Sequence, residues 1–216
     1  MHMSNRSNAF FCVILMCLCG CSERQEPSGS PNDAERESSF ASPEIAFQTA
    51  KTAILSEDYA GFCDCWTADG RDLVAVGFVF TGGLYKHMAE RENKTENLQR
   101  ITEVFEKHGL MEGTRGTIRL TGDKDADRKE VLKLVEPIND RTGFIIDMLE
   151  LIPIVSERPN PRLIQDNARL VDLSVTGDTA SATLVQTRED KVLESPITFS
   201  RVNGEWKIAE IERLMN

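Results

Sequence analysis

The chain has 216 residues, of which 40% are hydrophobic and 28% charged, a composition that suits a soluble domain with one sizeable core. Its formal net charge is −10 at pH 7 and no basic cluster offsets it, so we expect the chain to repel the phosphates of nucleic acids rather than bind them. Four of the six cysteines fall within the first 21 residues. A disulfide framework needs cysteines throughout a small secreted domain, so we expect this fold to depend on its hydrophobic core.

The first 20 residues have the pattern of a secretory signal peptide. Arg6 lies in a short polar region, residues 9–18 form an apolar run, and the small residue Gly20 follows. The run is too short for a transmembrane helix, which needs about 20 apolar residues. Residues 1–20 are therefore predicted to be a signal peptide and not a permanent membrane span.

Leu18, Gly20 and Cys21 resemble the lipobox of bacterial lipoproteins, which has an aliphatic residue at −3, a small residue at −1 and a cysteine at +1. Cys17 and Cys19 do not fit, because a bulky residue precedes each of them. The resemblance implies lipidation of Cys21 by a diacylglyceryl group and a further acyl chain, which together hold a protein on a membrane. The expected location is therefore the cell envelope, on the periplasmic or outer surface, with the outer membrane favoured in a cell that has two membranes.

Residues 21–42 are predicted to form a flexible tether. They are rich in Ser, Glu, Arg and Pro, and Phe40 is their one large apolar residue. Such a segment buries too little surface to offset the entropy cost of folding. About 20 residues of flexible chain span roughly 25 Å, which would hold the domain just off the membrane.

Two short helices are predicted to open the domain at residue 43. Ser42 caps the first helix, Pro43 suits its first position, and the helix runs to about Ser56. Asp58 caps the second helix, which residues 67–70 are expected to close. The apolar stripe expected on the first helix consists of Ile45, Thr49, Thr52 and Leu55, with Ala46 and Ala53 beside them. The stripe expected on the second consists of Tyr59, Phe62, Cys63 and Trp66.

The middle of the chain is predicted to be helical as well. Residues 71–90 begin with a strongly apolar run and are interpreted as a helix rather than a strand. Residues 93–108 form a further helix, with Thr95 as its cap and a left-handed turn at Gly109 that folds Leu110 back. The last two helices are expected around residues 126–135 and 142–151, ended by Pro137 and Pro153.

The last quarter of the chain alternates with period two, which predicts antiparallel strands. Gly177-Asp178 turns the first strand into the second, and Asn203-Gly204 turns the third into the fourth. The inward-facing residues are expected to be Val171, Leu173, Val175, Ala180, Ala182, Leu184, Ile197, Phe199, Trp206 and Ile208. The predicted fold class is α+β, a single domain over residues 43–216 in which helices (43–160) pack on a C-terminal antiparallel sheet of about four strands (165–213).

The two ends of this domain resemble the NTF2-like (cystatin-like, SnoaL-like) superfamily. The resemblance is carried by the helix start Ser42-Pro43-Glu44, the helical residues 59–66 and the strand residues 173–182, 196–199 and 203–208. It implies a curved sheet that wraps the first helix into a cone with an open mouth. Residues 95–159 lie between the two matching ends and are interpreted as a helical insertion that plugs the mouth, covers it as a lid or forms a partner surface.

Cys63 and Cys65 are candidates for a metal or redox site. Residues two apart on a helix point about 200° from each other, so these thiols cannot share a metal ion, and a disulfide between them would be strained. Cys63 lies on the expected apolar stripe and is interpreted as a core residue.

His87 and His108 are candidates for acid–base chemistry. Either could pair with Asp147 or Glu150 in a pocket, as in the cyclases and isomerases of the resembling superfamily. His108 also suits a helix C-terminus, where a cation stabilises the helix without catalysis. His87 lies in a polar stretch and suits an exposed position.

Asp123, Asp125 and Asp127 alternate in faint likeness to a calcium-binding loop. The central glycine and the closing glutamate of such a loop are missing, and Lys124 has the wrong charge. The favoured interpretation is a solvated helix start. Similarly, Trp206 is interpreted as a core residue rather than the lining of a ligand cavity.

These residues predict no catalytic, cofactor-binding or metal site. The favoured function is a membrane-anchored lipoprotein whose domain binds a small ligand or an envelope protein without catalysis. One alternative is an enzyme of the acid–base isomerase or cyclase type inside the cone. The other is a structural protein whose inserted helices dock to an envelope assembly.

Overall fold

The helices of the chain precede its strands. A computed structural model describes residues 40–111, 118, 121–156, 163–188 and 190–212, so the predicted signal peptide, Cys21 and most of the tether lie outside the described residues. The elements are α1 (Pro43–Leu55), α2 (Tyr59–Asp64), α3 (Ala68–Arg91), α4 (Thr95–Lys107), α5 (Lys124–Leu132), a 3₁₀ turn (Lys133–Val135), α6 (Arg141–Val155), β1 (Arg169–Thr176), β2 (Thr179–Arg188), β3 (Lys191–Val202) and β4 (Glu205–Ile211). This arrangement of helices followed by a curved antiparallel sheet confirms the predicted α+β class.

Side-chain caps fix where the first helices begin. Ser42 accepts a hydrogen bond from the backbone N–H of Ile45 at 3.3 Å, and Asp58 accepts one from Gly61 at 2.9 Å, so both predicted caps are confirmed. Thr67 does not close α2 as predicted. Its hydroxyl accepts the N–H of Gly70 at 2.9 Å and thereby begins α3.

The cap predicted for α4 is wrong, whereas its predicted end is confirmed. Lys94 holds the N-cap position without a side-chain hydrogen bond, and Thr95 is the first helical residue. At the other end Gly109 has a φ of +79°, and the N–H of Leu110 reaches back to the carbonyl of Phe105 at 2.8 Å. Leu110 is consequently buried.

The buried face of α1 differs from the predicted stripe. Its buried residues after Pro43 are Ala46, Phe47, Ala50, Ala53 and Ile54. Ile45, which the prediction placed inward, is 39% exposed. Phe47 and Ile54 are both large and share a side of the helix. Burying them against α2 and β4 stabilises the fold more than burying Ile45 and the threonines would.

Proline ends one of the two last helices and not the other. The turn after α5 stops at Val135, ahead of Pro137, as predicted. Pro153, however, lies inside α6, which continues to Val155. A proline in the last turn removes a single backbone hydrogen bond, and Ile152 and Val155 on either side of it are buried, so packing holds the turn in place.

The four strands form one antiparallel sheet in the order β1-β2-β3-β4. Asn203 and Gly204 have φ values of +54° and +86°, as a tight hairpin turn requires. The buried face of the sheet includes Ala180, Ala182, Leu184, Gln186, Ser195, Ile197, Phe199, Trp206, Ile208 and Ile211. The inward positions predicted on the last three strands are therefore confirmed.

A β-bulge changes the face that β1 presents. Val171 pairs with Thr183 and Ser174 pairs with Ser181, so two residues of β1 lie opposite one residue of β2 between these pairs. Asp172, the first of the two, has a φ of +55°. Val171 therefore lies opposite Thr183 on the outer face, which corrects its predicted inward position. Leu173 packs against the core as predicted, whereas Val175, near the end of the strand, is 52% exposed.

The outer edge of β4 is covered by the chain that connects α2 to α3. The N–H of Ile208 donates to the carbonyl of Cys65 at 2.8 Å, and the N–H of Thr67 donates to the carbonyl of Ile208 at 2.9 Å. A side chain at Gly70 would lie 2.9 Å from the carbonyl oxygen of Ile208, so the first turn of α3 rests directly on the strand. The sheet edge is thereby satisfied and protected at Ile208.

Helix α3 is the hub of the helical part and packs against α4, α6 and β4. A Cβ at Gly82 would lie 2.6 Å from the ring of Phe105 on α4 and 3.0 Å from the Sδ-bound methyl of Met148 on α6. Glycine is therefore needed where the three helices meet. None of the described helices is both long and apolar enough to cross a membrane.

We expect Gly82→Ala to lower the free energy of unfolding by about 1–3 kcal/mol, because the added methyl group overpacks this crossing. In an open helix interior the same change would stabilise the protein by up to about 1 kcal/mol. The control compares Gly82 with Gly82→Ala by urea denaturation in a Phe105→Leu background. The smaller leucine side chain makes room for the added methyl group and should reduce the loss of unfolding free energy. An equal loss with Phe105 and with Leu at position 105 would refute the close contact.

Candidate functional site

The structure brings His108 and Asp147 together, one of the pairs that the sequence suggested. His108 lies at the C-terminal end of α4, and Asp147 lies on the facing side of α6. Nε2 of His108 is 2.6 Å from Oδ2 of Asp147, and Nζ of Lys107 is 2.7 Å from the same oxygen. Glu150 and His87 are not part of this contact. Glu150 borders the groove outside it, and His87 lies at a different cleft.

Both basic partners favour the ionised form of Asp147. Burial by itself would raise the pKa of this carboxyl, but the hydrogen bonds from Lys107 and His108 outweigh burial and lower it. The hydrogen bond to Asp147 correspondingly raises the pKa of Lys107. Asp147 is therefore a stable carboxylate at neutral pH.

The surroundings of His108 favour a structural role. Its side chain is 7% exposed, and its ring meets Phe144 edge-on with centroids 5.3 Å apart. Asp147 borders a groove of about 300 Å³ between α4 and α6, which does not include the imidazole. The pair therefore ties the end of α4 to α6, and Lys107 beside it places a cation in the last turn of the helix.

A larger cleft lies between α3 and α4, on the side of His87. Its volume is about 710 Å³. The lining residues are Gly83, Lys86, His87, Glu90, Leu98, Thr102, Phe105, Glu106, Leu110 and Met111. The cleft thus has an apolar base and a rim that carries both signs of charge, the composition of many small-molecule sites.

Cys63 and Cys65 are free thiols in the core. Both are fully buried, and burial is the main reason that the pKa of each rises to about 12. The core position predicted for Cys63 is confirmed. Cys65 is buried too, because α2 ends at Asp64 and the next residue turns under β4. Neither thiol is available as a nucleophile or metal ligand in the folded state.

Asp123 and Asp127 near α5 accept backbone hydrogen bonds. Asp123 caps α5 by accepting the N–H of Ala126 at 2.9 Å. Asp127 accepts the N–H of Thr121 at 2.6 Å and that of Gly122 at 2.9 Å, which lowers the pKa of its carboxyl. Within the described residues no group of three or more His, Cys, Asp or Glu side chains is placed to hold a metal ion. The predicted helix start is confirmed.

Sequence reasoning named the His108–Asp147 pair but did not find the α3–α4 cleft. The His108–Asp147 pair could be named because a histidine and an acidic residue on predicted helices are visible in the sequence itself. The cleft depends on how α3 and α4 pack against each other, which no local pattern indicates. The chain matches no protein-family model, no curated protein and no solved structure.

We expect Asp147→Asn to lower the free energy of unfolding by about 1–3 kcal/mol at pH 7, since it removes the charged acceptor of Lys107 and His108. The pKa of Asp147 is lowered by folding, so its contribution is complete above the pKa of the unfolded chain and declines as pH falls through the folded value. Urea denaturation at pH 7 and near pH 3 should therefore show a smaller difference from wild type at the lower pH.

The matched control for this prediction is Glu150→Gln, which removes an equal charge three residues further along α6 at an exposed position. Its effect should stay within about 0.5 kcal/mol. If Asp147→Asn and wild type differ equally at both pH values, the carboxylate does not stabilise the fold through its charge.

Proposed function

We propose that this chain is an exported bacterial lipoprotein, anchored through Cys21, whose NTF2-like domain binds a small ligand without catalysis. The short apolar run of residues 9–18 and the lipobox pattern that ends at Cys21 support the anchor. The curved antiparallel sheet behind a capped first helix agrees with the superfamily resemblance. The α3–α4 cleft is the observation that supports ligand binding.

The cleft has the size and composition expected of a binding site for an amphipathic small molecule. Its volume of about 710 Å³ falls within the range of about 300–1,000 Å³ that such sites occupy. Phe105 and Leu110 are buried and present apolar surface to it, whereas Lys86, Glu90 and Glu106 place charges at its margin. Such a site holds an apolar body while polar groups orient it.

The position of the cleft gives the predicted helical insertion a role. Residues 95–159 contribute α4, whose Thr102 and Phe105 form one wall, while α3 forms the other with Gly83 and Lys86. We infer that the ligand site lies between the insertion and the helix that precedes it. The buried face of the sheet, with Phe199 and Trp206, serves as core instead.

The His108–Asp147 contact favours a second candidate, acid–base chemistry of the isomerase or cyclase type. The 2.6 Å separation is the distance that proton transfer needs. The acceptor oxygen of Asp147, however, is shared with Lys107, and the imidazole is enclosed by Phe144. Binding at the open cleft therefore makes better use of the geometry than catalysis at the pair.

We expect cells grown with a radiolabelled fatty acid to label the wild-type chain and not Cys21→Ser, because the acyl groups are attached at this residue. Cys19→Ser is the matched control and should retain the label, since it leaves the aliphatic, small and cysteine positions of the lipobox intact. Autoradiography of the immunoprecipitated chain gives the result. Equal labelling of Cys21→Ser and wild type would contradict lipidation at Cys21.

We expect Thr102→Trp to reduce binding of the fluorescent probe 8-anilinonaphthalene-1-sulfonate, because an indole at this position fills the cleft. The measurement is probe emission with residues 36–216, the compact unit that holds every described residue. Gln99→Trp adds the same group at an exposed position of α4 that does not line the cleft. It should bind the probe as wild type does, and equal emission from all three proteins would contradict a binding cleft.

A further inference from the structure

The outer side of α3 is apolar along most of its length. Phe80, Leu84 and Met88 are 52%, 59% and 40% exposed, and their spacing of four residues places them on one side of the helix. Leu73 and Gly77 extend this side toward the start of α3. We call these five residues the α3 strip. A continuous apolar surface of this kind marks a contact site more often than a solvated face.

The two ends of the α3 strip carry opposite charges. Asp69 lies in the first turn of α3 and Arg91 in the last, and both are exposed. Helical geometry places both within about 60° of the middle of the strip. Every residue of α3 is described, and between Asp69 and Arg91 this side of the helix holds no Asp, Glu, Lys or Arg. That gap is notable in a chain whose residues are 28% charged.

We propose that the α3 strip binds a second copy of this chain, with the two α3 helices antiparallel. A two-fold axis near Phe80 lies midway between Asp69 and Arg91, so Arg91 of each copy meets Asp69 of the other. Antiparallel packing therefore forms two ion pairs. Parallel packing would place like charges beside each other, which costs free energy.

The order of residues along the strip suits a pair of helices. Leu73, Gly77, Phe80 and Leu84 are separated by four, three and four residues, the spacing of apolar positions in a coiled-coil seam. Gly77 and Thr81 are small, so two backbones can approach closely while the larger side chains interlock across the seam. The strip is thus complementary to itself in shape as well as in charge.

A lipid surface fits the α3 strip less well than a second copy does. Helices that lie on membranes carry several basic residues along the border of their apolar face. The strip has Arg91 at one end and Asp69 at the other, in a chain whose net charge is −10. Anionic headgroups would be attracted at Arg91, but they would be repelled at Asp69 and by the net negative charge of the chain.

The expected dimer is weak. One helix face is small beside the roughly 1,200–2,000 Å² of total surface buried in a stable interface. Association should therefore depend on concentration, and attachment to a membrane would favour it by bringing copies together. The contact itself does not rest on the proposed anchor.

The test is crosslinking of the full chain in intact cells by a short, membrane-permeant bismaleimide, read as a dimer band on an immunoblot. Thr81→Cys places a thiol beside the predicted axis and should yield a dimer. Glu90→Cys is the control and should not, because this exposed residue lies near the end of α3, about 120° around the helix from the middle of the strip. The unsubstituted chain gives the background, which includes any reaction of the four cysteines in its first 21 residues, whereas Cys63 and Cys65 are buried.

Charge variants in the Thr81→Cys background separate a second copy from other occupants. Asp69→Arg and Arg91→Asp should each cause a several-fold loss of dimer, and the double exchange should restore it, since it rebuilds both ion pairs with reversed polarity. Restoration also shows that neither substitution prevents folding, because the double variant contains both of them.

Four results would overturn the proposal. The first three are equal crosslinking of Thr81→Cys and Glu90→Cys, no restoration by the double exchange, and an adduct of Thr81→Cys with a different protein. The fourth is protection of Thr81→Cys from a water-soluble maleimide without any dimer, which would indicate a lipid surface instead. The fatty-acid label reports the anchor independently, so failure of either idea leaves the other testable.

Discussion

The parallel bridge between the α2–α3 connection and β4 is the contact on which the rest of the domain depends. Two backbone hydrogen bonds, from Ile208 to Cys65 and from Thr67 to Ile208, tie this connection to the sheet. Because Thr67 also caps α3, the same few residues satisfy a sheet edge and set the starting point and direction of the longest helix. Gly70 permits the close approach that this double role requires. The positions of α4 and α6, which pack on α3, follow from this junction.

Helices α4 and α6 are held in the domain by contacts of different kinds. At the crossing of α3, α4 and α6, Gly82 allows close apolar packing against Phe105 and Met148. At the far end of α4, the Asp147 carboxylate joins Lys107 and His108 to α6. Phe105 takes part in the crossing and also lines the α3–α4 cleft. Packing that fixes its ring therefore also fixes part of the cleft wall.

Local signals in the sequence predicted much of this fold. Ser42 and Asp58 cap helices, Gly109 ends one, and Asn203-Gly204 turns a hairpin, because each of these effects involves residues within one turn of each other. The errors occur where distant contacts decide. The face of α1 is set by packing against α2 and β4, and the extra residue in β1 appears once its pairing with β2 is known. The His108–Asp147 pair was among the pairs expected from the sequence, whereas the cleft depends on how α3 and α4 pack against each other.

The burial of Cys63 and Cys65 has a consequence for how this domain matures. In the folded state both thiols are enclosed and resist ionisation, so an oxidising environment outside the cytoplasm would leave them unchanged. An unfolded chain delivered there exposes two cysteines separated by one residue, and a disulfide between them would not fit the end of α2. If the chain is exported as proposed, the α2–α3 connection must reach the sheet before an oxidant reaches the thiols. The yield of correctly folded chain would then depend on the relative rates of folding and oxidation rather than on the final stability of the fold.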